Sequence, residues 1–194
     1  FDAWHNWHLR AKVIFTEQQL PLDPAFDFYL GGGETSYPLH DALWKVWLAN
    51  VIGSWRESVI GVYSFVYYLI MVGLFYASLP QAIAFSRRLL YTYLAASLPY
   101  LYFQASIAYA DLEFAASVLL VVSGLFWFLY SSKPAFLDLS ALALALAIWT
   151  KNEGFAVIAP AMFVLTILLV LRRLVSFRQW LGFWAITIGA SLPW

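Results

Sequence analysis

Three short polar stretches interrupt an otherwise apolar chain, and each carries residue types that do chemistry. The first is Phe1–Glu17, FDAWHNWHLRAKVIFTE. Asp2 offers a carboxylate for general-base work at a water–lipid boundary; the plainer role for an Asp there is a helix N-cap. Asp2, His5 and His8 spell D-x-x-H-x-x-H, which could line one helix face and ligate a divalent metal. Solvated polar residues on a surface helix show the same pattern. The second stretch is Tyr109-Ala110-Asp111-Leu112-Glu113. Its two carboxylates precede an apolar run, so they either complement a helix N-terminus or belong to a site. The third is Thr150-Lys151-Asn152-Glu153-Gly154, where a cation and an anion stand two positions apart between apolar segments.

The elements that must hold these groups follow from periodicity. In the first stretch Trp4, Trp7, Ala11, Ile14 and Phe15 recur at helical spacing, so a helix is expected with one apolar stripe. Two Trp beside Arg10 and Lys12 suit a helix lying in the headgroup zone. From Gln18 to Asp41 the prolines, the Gly31–Gly33 run and the acids Asp23, Asp27, Glu34 and Asp41 predict an aqueous loop. His40–Ile52, with Trp44, Lys45 and Trp47, predicts a second interfacial helix too short and polar to cross a bilayer. Residues 1–55 therefore form a loop with juxtamembrane amphipathic helices. Residues 56–194 are expected to form six spans, at 59–79, 89–108, 112–130, 136–150, 155–171 and 180–194. The fold class is all-α, a polytopic transmembrane helix bundle.

Composition agrees. The 194 residues are 63% hydrophobic, 20% aromatic and only 11% charged, against about 25% charged in soluble domains. Mean hydropathy is +0.74. A net charge of zero gives no electrostatic case for nucleic acid. Without cysteine there is no disulfide framework and no thiolate chemistry. Phe1 is not Met and no signal peptide heads the chain, so it is expected to be a fragment.

Charge sets the orientation. Arg87, Arg88, Lys133, Arg172, Arg173 and Arg178 fall in turns expected on one side, with Asp138 as their one acid. The other ten acids fall on the opposite side. Basic turns mark the cytoplasm, so the long acidic loop, Asp111 and Glu153 face outward, and Asp2, Asp111 and Lys151 are expected to converge there. Leu137–Thr150 rises only about 21 Å, short of a hydrocarbon core of about 30 Å. Lys151 and Glu153 are thus either recessed into a wet or protein-lined cavity, as functional intramembrane charges are, or they snorkel to water.

Taken in order, these features resemble the GT-C class of membrane glycosyltransferases, most closely protein O-mannosyltransferases and the aminoarabinose transferase that modifies lipid A. The matching residues are Asp2 at the head of an outward loop, Ser36-Tyr37-Pro38-Leu39 opening a Trp-rich helix, Tyr109-Ala110-Asp111-Leu112, Thr150-Lys151-Asn152-Glu153-Gly154, and Leu192-Pro193-Trp194. The family's acidic pair is here Asp2 followed by Ala3, and its first span and C-terminal part are not seen. The resemblance implies inverting transfer of a hexose or pentose from a polyprenyl-phosphate donor to a lipid, glycan or protein acceptor, at the outer face of a bacterial inner membrane. It implies Asp2 and Asp111 as catalytic carboxylates. It also implies Lys151, Arg10 and Lys12 as cations for the departing phosphate, with Tyr37, His40 and Glu153 as further substrate contacts. No cofactor is implied beyond the open question of a divalent metal. The competing class is a transporter or channel subunit, in which Asp111, Lys151 and Glu153 form an intramembrane relay.

Overall fold

The computed structural model describes residues 7–20, 37–107 and 109–192, and among these only helices and their connecting turns occur. The protein is an all-α helical bundle. In chain order the helices are α1 (Leu9–Glu17), α2 (His40–Ile52), α3 (Glu57–Ile60), α4 (Val62–Ser78), α5 (Phe85–Ala96), α6 (Pro99–Ala105), α7 (Asp111–Ser131), α8 (Pro134–Thr150), α9 (Ala159–Leu171) and α10 (Phe177–Ser191). A π-helical turn, Gly154–Ile158, leads into α9.

Three helical stretches are long and apolar enough to cross a membrane: Glu57–Ser78, Asp111–Ser131 and Gly154–Leu171. They make this the fold of an integral membrane protein. The stretch expected as one span at 89–108 is two helices instead. Pro99 disfavours helical geometry at the residue before it, and Leu98 is extended, with φ −61° and ψ 121°. Neither piece is long enough to cross alone. Helix α8 begins at Pro134, earlier than its apolar run suggests, because proline is tolerated in a first helical turn. Its 17 residues rise about 25 Å.

The bundle is built on α7 and α8, antiparallel neighbours joined at Ser132, whose φ is 58°. Small residues let them approach, as they do between helices in lipid. A Cβ at Gly124 would lie 3.0 Å from the Phe136 carbonyl, and Ser140 donates to the Val121 carbonyl at 2.7 Å. On α8, Ala141, Ala143, Ala145 and Ala147 are all buried. Thr187 of α10 donates to the Ala141 carbonyl at 3.2 Å. Val121, Leu125, Phe128, Leu144, Met162 and Phe183 fill the core between these helices. Outward faces carry Leu168, Leu171, Tyr93 and Tyr102, all exposed, while Ser64, Ser117, Ser123, Thr166 and Thr187 lie inside. Such a surface suits lipid rather than water.

The apolar stripe of α1 behaves differently from expectation. Trp7, Ala11 and Ile14 are buried; Trp7 meets the Tyr37 ring edge to face, and Ala11 and Ile14 pack with Leu39, Ala42 and Val46 of the α2 region and with Trp55. They face protein, not headgroups, because α2 supplies an apolar partner. Trp4, like Asp2 and His5, lies outside the described residues.

Candidate functional site

One end of the bundle gathers the start of α4, the start of α7, the end of α8 and the turn 151–153, with α1 and α2 laid against them. This end holds the polar groups. Lys151 follows the last residue of α8 with extended backbone, φ −147° and ψ 149°, and its ammonium donates to Asp111 Oδ1 at 2.8 Å. Of the three residues expected to converge, Lys151 and Asp111 are in contact, and Asp2 lies outside the described residues. The Lys151 side chain is 13% exposed and that of Asp111 is 40% exposed, so the carboxylate forms the open side of the pair. The Trp7 and Tyr37 rings stand 5.7 and 5.8 Å from the ammonium, and lie 5.2 Å from each other edge to face.

Gly154 places this turn. A Cβ there would collide with the Ala147 carbonyl, so only glycine lets the π turn fold back against α8. Its N–H donates to the Lys151 carbonyl at 2.9 Å. Glu153 accepts from the Tyr37 hydroxyl at 3.3 Å through Oε1. Glu153 Oε2 and the nearby Trp149 Nε1 are buried without a hydrogen-bond partner among the described residues. Buried polar atoms are normally paired, so these two stand out. Arg10, 2% exposed, donates from Nη2 to the Tyr37 carbonyl at 2.9 Å and so ties α1 to the residue flanking Lys151. Lys12 points elsewhere, pairing with Glu57 at 3.2 Å on the surface.

Burial alone would weaken the Lys151 charge. The hydrogen bond and charge of Asp111, then Glu153 and Tyr37, outweigh it and hold the ammonium above the usual lysine range. Lys151 is therefore a standing cation with three N–H donors, one of them directed at Asp111.

Beside this pair lies a second network, in which Glu113 and His40 meet residues that the sequence reading did not connect to them. Glu113, with a side chain 1% exposed, sits 2.7 Å from His40 Nε2. It accepts from Tyr63 at 2.7 Å and from Tyr67 at 3.3 Å. Trp44 Nε1 also lies 3.1 Å from His40 Nε2, but one nitrogen cannot donate to Glu113 and accept from Trp44 together. The carboxylate contact is the shorter of the two. His40 also meets the Trp149 ring edge-on at 6.1 Å, which joins this network to the Lys151 turn. Next to it Asp41 and Lys45 form a buried pair at 2.6 Å, one helical turn apart. Burial pushes Asp41 up, to about 6, with Lys45 pulling the other way.

The signals were present in the sequence. Asp41 and Lys45 are opposite charges at i, i+4, Tyr63 and Tyr67 share a face of α4 by the same spacing, and Glu113 is a carboxylate in the first turn of a span. His8 stacks edge-on with Trp55 at 5.6 Å. Burial and the charge of Lys45 lower its pKa to about 4. No group of three or more His, Cys, Asp or Glu placed to hold a metal occurs among the described residues.

Comparison of the chain with protein-family models, with curated proteins and with solved structures finds no match.

Proposed function

We propose that this chain is the membrane part of a glycosyltransferase that moves a sugar from a polyprenyl-phosphate donor to an acceptor hydroxyl. The observation that carries the reading is the Lys151–Asp111 pair, a standing cation beside a half-open carboxylate, walled by Trp7 and Tyr37. In this reaction a carboxylate, Asp2, takes the proton of the acceptor hydroxyl. The oxygen then attacks the anomeric carbon, and the bond from that carbon to the phosphate oxygen breaks. The electron pair leaves with the phosphate, whose charge is met by Lys151. Asp111 holds the ammonium in place. Glu153 Oε2 and Trp149 Nε1, buried without partners among the described residues, suit hydroxyls of the sugar. The polar end faces outward from a bacterial inner membrane in this reading, since the basic turns lie at the other end.

The test is transfer of a labelled sugar from a polyprenyl-phosphate donor by the full-length protein in proteoliposomes. Lys151→Ala is expected to weaken donor binding, raising KM. Asp2→Asn is expected to lower turnover by roughly 10²–10⁴-fold with KM little changed. Wild-type transfer in both variants would overturn the assignment.

One observation favours a second reading. Glu113 is buried in the first turn of a span with His40, Tyr63 and Tyr67 around it, as in a proton path through a transporter. Proton flux in sealed proteoliposomes, abolished by Glu113→Gln while no sugar transfer is found, would select it.

A further inference from the structure

At the opposite end of the bundle the chain carries a second feature that sugar transfer does not use. A groove of about 450 Å³ opens between the end of α4 and the α7–α8 link. Its walls are largely apolar, from Ala77, Leu79, Phe126, Trp127, Tyr130 and Phe136. Two cations stand next to residues that adjoin it. On the α4 side, the Arg88 guanidinium lies 4.3 Å from the Tyr76 ring and donates from Nη2 to the Tyr76 carbonyl at 3.2 Å. That residue directly precedes the groove wall at Ala77. Arg88 Nε is buried with no acceptor among the described residues. On the other side, Ser131 and Phe136 line the groove, and the link between them contains the exposed Lys133.

Charge identifies the occupant. Six of the eleven basic residues stand at this end, and Asp138 is the one acid there among the described residues. An apolar slot with cations on the adjoining chain, on a helix bundle with lipid-facing walls, matches an acyl chain joined to an anionic headgroup, and basic sites between helices hold such headgroups. We propose that this groove binds an anionic phospholipid, with one acyl chain between α4 and α7 and its phosphate between Arg88 and Lys133. The site is independent of the proposed reaction at the other end.

The experiment is native mass spectrometry of the full-length protein released from nanodiscs of phosphatidylglycerol mixed with phosphatidylcholine. One phosphatidylglycerol per chain is expected to be retained in preference to phosphatidylcholine. Retention should fall about fivefold in Lys133→Gln and roughly 25-fold when Arg88→Gln is added, given the usual strength of basic side chains on anionic lipid. Arg88→Lys, which keeps the charge, should stay near wild type. Ala77→Trp, which fills the slot, should lose the lipid with both cations intact. Lys133 sits on an exposed link, so its variant tests the site even if Arg88→Gln fails to fold. Equal retention of the two phospholipids, or unchanged retention in Lys133→Gln, would overturn the proposal. So would displacement by soluble glycerol phosphate, which makes the ligand a free phosphate, or preferential retention of added polyprenyl phosphate.

Discussion

At the scale of single residues, the Glu113 carboxylate gathers three side-chain partners in one buried place. Its carboxylate takes a hydroxyl from Tyr63 on one oxygen, and His40 and Tyr67 on the other. Tyr63→Phe is expected to destabilise the protein by about 1–3 kcal/mol, because it leaves a buried acceptor short of a partner. Tyr67→Phe should cost less, since its 3.3 Å bond is long for a hydroxyl donor. Thermal unfolding in one detergent measures both, and a larger loss in Tyr67→Phe would contradict this. His8 gives a pH prediction. Its folded pKa, about 4, lies below the ordinary 6.5, so docked α1 favours the neutral ring. That contribution is whole above about 6.5 and fades as pH falls towards about 4. Hydrogen-exchange protection of residues 9–17, relative to intrinsic rates, should drop across that window and hold in His8→Phe. Of the candidate site residues, Asp111 and Lys151 were legible as chemistry because charges between apolar runs are conspicuous. Lys12 belongs to a surface pair instead, and what separates it from Arg10 is which side of α1 meets α2.

At the scale of elements, two devices hold the polar end together. The Asp41–Lys45 pair is fully buried. Removing one partner leaves a buried charge, so Asp41→Asn or Lys45→Met alone should cost about 3–5 kcal/mol, whereas replacing both by Leu and Met should recover most of it. A double variant as unstable as the singles would show that the pair has some other role. The second device is Gly154. Gly154→Ala drives a methyl into the Ala147 carbonyl, and backbone cannot swing aside as a side chain can. The expected loss is about 1–3 kcal/mol. Because Gly154 bonds to the Lys151 carbonyl, the variant should also impair whatever Lys151 binds. Helix α2 was legible to its ends from His40 to Ile52. The break inside 89–108 was signalled by Pro99, but the apolar run around it hid the signal.

At the scale of the whole molecule, charge and topology agree. The chain runs up and down so that Arg87, Arg88, Lys133, Arg172, Arg173 and Arg178 gather at one end, while Asp41, Asp111, Glu113 and Glu153 gather at the other. Cysteines placed at Asn50 and Ser132 in a cysteine-free background should therefore react from opposite sides of the membrane. With an impermeant maleimide on sealed cells, label is expected at Asn50→Cys and not at Ser132→Cys. Label at both positions would contradict the two-ended arrangement.

The sequence by itself determined the class of the protein. Apolar runs of span length and a charged fraction of 11% leave a helical membrane bundle as the way to satisfy every backbone N–H and C=O in lipid. It also marked Asp111 and Lys151, since few charges stand near so much apolar sequence. Only the tertiary structure decided which charges meet. Lys151 reaches Asp111 across 40 positions and Tyr37 reaches Glu153 across 116, contacts that no helical spacing encodes. They follow from how closely α7 and α8 approach at Gly124, from the fold-back at Gly154, and from α1 finding its apolar partner in α2. Each depends on two surfaces fitting at once, and a one-dimensional pattern shows only one of them.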